Sequence, residues 1–125
     1  MMEREDSVVR LELPIDTRYI RVARLVASGM GSTAGLDVDG VDDLRIAVDE
    51  LCAALFELAN GGPVSLTFAL NDDGVDVEGH APAAPSAHID TERFALSEQI
   101  LGVACDGFSL DVDGGVARFS LQKRR

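Results

Sequence analysis

The chain has 125 residues, 46% hydrophobic and 26% charged, which allows one folded domain with a single core and excludes a disordered or fibrous polypeptide. A formal net charge of −11 argues against nucleic acid as a direct partner, because phosphate backbones are gripped by Lys and Arg; it suits solubility or a basic protein surface. No apolar run reaches membrane-span length, and the opening MMEREDSVV lacks a signal-peptide core, so a cytoplasmic protein without membrane contact is expected.

SVVRLELP, Ser7 to Pro14, sets Val8, Arg10 and Glu12 against Val9, Leu11 and Leu13, the period of a half-buried strand stopped by proline. Asp16 or Thr17 is placed to cap a helix through RYIRVARLVASGM. Its apolar stripe is Ile20, Ala23, Leu25, Val26 and Met30, while Arg18, Arg21 and Arg24 mark another side. That basic row suits an acidic partner, and equally the wet side of an amphipathic helix. Gly29 and Gly31 are expected to weaken the helix end, leaving STAGLDVDG as a loop.

A second helix is expected from Asp42 or Asp43, its first-turn acids complementing the helix dipole. Leu44, Ala47, Val48, Leu51, Leu55 and Leu58 keep the i, i+3, i+4, i+7 rhythm, and ANGG supplies a glycine stop with Asn60 as C-cap. PVSLTFAL and GVDVEG alternate on either side of NDDG, a hairpin signal. HAPAAPSAH breaks the pattern as a loop. Helical spacing resumes in DTERFALSEQILGVACD, with Asp90 or Thr91 as cap, and GFSLDVD and GVARFSLQK form a second hairpin around DGG. The closing QKRR is the one basic cluster and is expected to be solvated. The order β-α-α-β-β-α-β-β predicts an α/β (α+β) two-layer sandwich: a mixed, mostly antiparallel sheet covered on one face by three helices, one domain over residues 1–125.

Cys52 and Cys105 lie far apart without an export signal and read as buried reduced thiols; no CxxC supports zinc or redox chemistry. His80 and His88, with Glu78 and Asp90 nearby, match no established metal spacing, so no metal site is expected. Ser86 and Ser97 lack a nucleophile elbow, although Ser86 in its loop is loosely placed for phosphorylation.

LRIAVDELCAALFELANGG followed by the hairpin PVSLTFALNDDGVDVEG resembles the histidine-kinase/Hsp90-like ATPase superfamily, and more closely the anti-sigma-factor serine kinases and their small regulatory relatives. The likeness takes in the first strand, RYIRVARLVASG, the last helix ending VACD and the closing strands, nearly the whole chain. It implies ATP and magnesium as family cofactors. It also implies a sigma factor or anti-anti-sigma factor as protein partner, met near the first helix and the lid segment, commonly by a homodimer.

In that family the long helix carries Glu-x-x-x-Asn, the Glu handling a proton and the Asn holding magnesium. Four residues bring the side chains to within about 40° of each other around the helix. Here Glu50 takes the first position and Ala54 the second, whose methyl offers a hard cation no oxygen. The adenine motif Asp-x-Gly-x-Gly falls on GHAPA, with Gly79 for the acid and Ala81 and Ala83 for the glycines. A shifted register would bring Glu78, His80 and Pro82 there, but strand parity from Val75 and Val77 favours the first. Ala95 and Ser97 stand where a phosphate-cradling Gly-x-Gly opens the third helix.

Metal ligand, adenine acceptor and phosphate loop are thus replaced together. The resemblance implies the fold, and the residues argue for a non-catalytic protein-binding module that binds no cofactor. Glu50 then reads as a vestigial base, or as a partly exposed helix acid beside Asp49, and the small apolar replacements are expected to close the cleft. The rival is an active ATP-dependent serine/threonine protein kinase with an unorthodox pocket; a third reading is a structural subunit of a larger complex.

Overall fold

The computed structural model describes residues 7–125, so the first six residues of the segment read for a leader lie outside it. The elements are β1 (Val8–Leu13), a 3-10 turn (Thr17–Tyr19), α1 (Ile20–Thr33), α2 (Val38–Leu58), β2 (Val64–Leu70), β3 (Gly74–Pro82), α3 (Thr91–Ala104), β4 (Gly107–Asp113) and β5 (Val116–Arg124). The five strands form one sheet in the order β1-β2-β3-β5-β4, and every neighbouring pair among the described residues is antiparallel. Three helices over a five-stranded sheet in this order give the α+β sandwich expected from the sequence.

Alternation sets the layers. On β3, Val75, Val77, Gly79 and Ala81 are buried while Glu78 and His80 are exposed, so one face meets the helices and the other meets water. α2 supplies the other half of the core through Leu44, Ala47, Val48, Leu51 and Leu55, all fully buried against Leu66, Phe68, Val77 and Leu121. Burying each such Leu or Phe stabilises the fold by roughly 1.5–3 kcal/mol, and Leu51→Ala would cost about 2–5 kcal/mol.

The helix boundaries depart from expectation. Gly29 and Gly31 do not end α1, which runs to Thr33. The stop is Gly35, at φ 85°, in a Schellman arrangement: Leu36 N–H donates to Gly31 O and Gly35 N–H to Ser32 O, both at 3.0 Å. Gly31 is closely packed: a Cβ there would lie 3.3 Å from Leu36, Val41 and Leu44 side-chain carbons. α2 starts at Val38 rather than Asp42, because the Asp37 carboxylate accepts the Gly40 amide at 2.8 Å and caps it. Of the apolar stripe expected on α1, Leu25 is 70% exposed.

α2 does not end in an Asn60 cap. Ala59 is already extended and bridges Ala83, while the Asn60 amide donates to Pro82 O at 2.7 Å, which pins the chain to the end of β3. β3 itself runs through His80, Ala81 and Pro82, paired with Arg118, Ala117 and Val116, so the loop expected over HAPAAPSAH, residues 80–88, instead spans residues 83–90. The tail is not merely solvated: Lys123 pairs with Asp43 at 3.6 Å, and the Arg125 guanidinium donates to Ala34 O at 2.9 Å and Asp72 O at 2.6 Å. Both hairpins form as expected, the second through Gly114 and Gly115 at φ 58° and 80°.

Candidate functional site

A cavity of about 600 Å3 lies between α2, the 83–90 loop and α3, so the cleft expected to close remains open. Ala54 contributes only a methyl to its wall. The walls include Glu50 and Ala54 from α2, Asn60 beyond its end, and Asp90, Phe94 and Ser97 from the start of α3, with Leu110 of β4 behind them.

The spacing of α2 puts Glu50 and Ala54 on one wall, one turn apart. Glu50 is half-buried, and its Oε1 accepts the Ser97 hydroxyl at 2.7 Å, tying α2 to the second turn of α3. Farther along the same two helices, Arg93 meets Glu57 at 2.6 Å, an exposed ion pair beside the cavity. Neither contact was legible locally, since each joins residues separated by more than thirty positions.

The positions singled out from sequence do not converge. Glu50, Ala54 and Ser97 share the cavity. Gly79 and Ala81 lie in the buried, helix-facing row of β3 and Ala83 is buried just beyond its end, none of them on the cavity wall. A Cβ on Gly79 would sit 2.6 Å from Phe119 Cε2 and 2.8 Å from Leu66 Cδ2, so the place of an adenine acceptor is filled by core side chains. Ala95 is exposed on α3 and outside the cavity.

The phosphate cradle fails for a backbone reason. Asp90 Oδ1 accepts the amides of Glu92 at 3.1 Å and Arg93 at 3.2 Å, and Phe94 N–H already donates to Asp90 O at 3.0 Å. A triphosphate would therefore meet a carboxylate where it needs bare amides, and the amides at Ala95 and Ser97 belong to a helix already under way. Magnesium fares no better: Ala54 offers a methyl, Glu50 shares one oxygen with Ser97, and no three His, Cys, Asp or Glu among the described residues are grouped to hold a metal ion. The residues present do not fit a magnesium–triphosphate.

Among the other candidates, His88 lines the cavity with Nδ1 3.4 Å from Ser86 O, and His80 is exposed on the opposite face of the sheet. The α1 arginines are partly engaged. Arg18 is bound to Asp16 at 2.7 Å, and the hydrogen bonds from Arg18 hold the Asp16 carboxyl below its usual range. Arg24 bridges to Asp49 at 3.0 Å. Both cysteines are free and buried, with the Cys52 thiol pushed up to about 12 chiefly by desolvation. No helix among the described residues is long and apolar enough to cross a membrane.

No protein-family model matches the chain. It is similar to proteins named serine-protein kinase RsbW. The one from Bacillus velezensis is 33% identical over 73 residues, which cover 55% of this chain and 46% of the relative. That from Bacillus subtilis is 30% identical over 80 residues, 61% of this chain and 50% of the relative. One from Bacillus licheniformis is 27% identical across 92% of this chain and 84% of its own length. The aligned part thus spans about half the length of the relatives from Bacillus velezensis and Bacillus subtilis.

Proposed function

We propose that this is an anti-sigma-regulatory-factor-like protein-binding module that has lost ATP binding and kinase activity. The observation that carries this reading is the start of α3: Asp90 caps the amides of Glu92 and Arg93, so those of Ala95 and Ser97 lie inside a helix already formed, and the Ser97 hydroxyl is bonded to Glu50. Its partner, by analogy with the relatives, is a sigma factor or an anti-anti-sigma factor. The active form is a homodimer in the cytoplasm, one domain per chain, with neither nucleic acid nor membrane as ligand. The remaining cavity belongs to an inactive scaffold, and Glu50 is its vestigial base. In a thermal-shift titration with millimolar ATP and magnesium, the melting temperature stays constant. A dose-dependent, saturating rise of several degrees would overturn the reading.

The open cleft favours a second reading, an active serine/threonine protein kinase with an unorthodox pocket. Glu50 lies on the wall of a cavity of about 600 Å3, and the relatives are named as kinases. Transfer of radiolabelled phosphate to a sigma-regulator partner, abolished in Glu50→Gln, would establish that reading and sink the first.

A further inference from the structure

β1 is one end of the sheet, and among the described residues only β2 is hydrogen-bonded to it. The Leu70 amide donates to Ser7 O at 3.0 Å, which fixes the parity of the ladder: Ser7, Val9, Leu11 and Leu13 exchange hydrogen bonds with β2. The N–H and C=O groups of Val8, Arg10 and Glu12 therefore point outward from the edge. Such a row of donors and acceptors is a template for another strand.

The side chains sort this edge into two faces. Val9, Leu11 and Leu13 turn toward the helices, but Val9 is 38% exposed and Leu11 half-buried, so the apolar side is incompletely covered. α1 packs on β2, and α2 on β3 and β5, so α1 lies on the β1 side of α2. Arg24 reaches Asp49 of α2, and Val22 and Val26, two residues either side of it, sit about 160° round the helix, on the flank turned toward β1. On the opposite face of the strand, Arg10 and Glu12 are exposed beside Thr67 and Ser65. Among the described residues neither has an ion-pair partner.

A cation and an anion two residues apart make the edge self-complementary. When two β1 strands pair antiparallel about a twofold axis at Leu11, Arg10 of each copy faces Glu12 of the other, and Val9 faces Leu13. Arg10 and Glu12 are outward-bonding on both strands, so the backbone ladder and both ion pairs form in one register. Sliding by two residues opposes Arg10 to Arg10 or Glu12 to Glu12, and sliding by one breaks the ladder. The other end strand, β4, carries Asp111 and Asp113 and no base, and has no such match. We propose that two copies of this chain join through β1, continuing the sheet across the twofold axis, with Arg10 and Glu12 setting the register. The proposal rests on the homodimer in the reading above and assigns it a face.

Sedimentation equilibrium of the whole protein across a concentration series is expected to show a dimer. Arg10→Glu and Glu12→Arg each set like charges opposite one another twice, and each should raise the dissociation constant at least about tenfold, with circular dichroism unchanged. Mixed in equal amounts, the two variants should dimerise with each other, because one supplies two acids and the other two bases at the paired positions. In the parent, the amides of Val8, Arg10 and Glu12 should exchange slowly as a dimer and fast on dilution. A dimer indifferent to both substitutions, or variants that stay apart when mixed, would overturn the proposal and leave the homodimer to another face. A parent that is monomeric at every concentration would overturn the proposal and the homodimer together.

Discussion

The Ser97 hydroxyl donates to Glu50 Oε1 at 2.7 Å, and this bond joins α2 to α3 across the head of the open cleft. Ser97→Ala is expected to cost about 1 kcal/mol, the ordinary net worth of a protein hydrogen bond once solvent competition is counted. Glu50→Gln keeps an acceptor and should cost less. Urea denaturation of both single variants and the double variant measures the coupling. Strictly additive losses would mean that the two side chains do not act as a pair.

Gly79 is held by its neighbours rather than by its backbone angles. Its missing Cβ would collide with Phe119 and Leu66, and these are ring and branched carbons inside a filled core. Gly79→Ala is therefore expected to destabilise by about 1–3 kcal/mol. Gly79→Asp, which rebuilds the acid of the family motif, should do worse, because its carboxylate would be buried among apolar groups without a partner. Neither should bring ATP binding, whereas Ala54→Asn, on the cavity wall, should leave the urea midpoint nearly unchanged. An adenine-dependent thermal shift in folded Gly79→Asp would contradict this account of the pocket.

What the sequence disclosed follows from the range of each interaction. The rhythm of Leu44, Ala47, Val48, Leu51 and Leu55 repeats within one helix and faces one core, so it is readable without knowing what lies opposite. Gly79 and Ala81 share the parity of Val75 and Val77 and so fall on the same covered face of β3. The helix boundaries were harder, because three glycines compete as stop signals near the end of α1. Only Gly35 has positive φ; Gly31 answers to packing against Leu36 and Leu44. The site was least legible. Whether alanines close a cleft depends on how far α2 and α3 can approach, and that distance is set by side chains from four elements. Glu50 and Ser97 were each singled out, but nothing local says that they touch.

Arg125 offers a test of the misread tail. Its guanidinium donates to two backbone carbonyls, Ala34 O beside the α1–α2 turn and Asp72 O in the β2–β3 hairpin, while its own amide donates to Asp73 O at 2.8 Å. One planar group therefore holds two turns that are far apart in sequence. Arg125→Ala should cost about 1 kcal/mol and speed amide exchange at Gly35 and Leu36. Arg125→Lys, a point charge in place of a fork, should recover only part of that loss. Unchanged exchange in the alanine variant would mean that the clasp does not hold in solution.

Cys52 makes stability depend on alkaline pH, and the sign is fixed by which state keeps its proton. Burial in α2, with Asp49 adding a smaller repulsion, raises the folded thiol from 9.0 to about 12. Below pH 9 both folded and unfolded chains are protonated here, and this group leaves stability flat. Between pH 9 and about 12 the unfolded chain has released a proton that the folded chain retains, so stability falls by about 1.4 kcal/mol per pH unit from this one thiol. The buried Cys105 thiol, raised in the same direction, steepens the fall. Urea midpoints from pH 8 to 11 should therefore drop more gently in Cys52→Ala than in the parent, every other group being common to both. Parallel curves would show that water reaches this thiol in the folded protein, and that the middle of α2 is less tightly covered than its zero exposure implies.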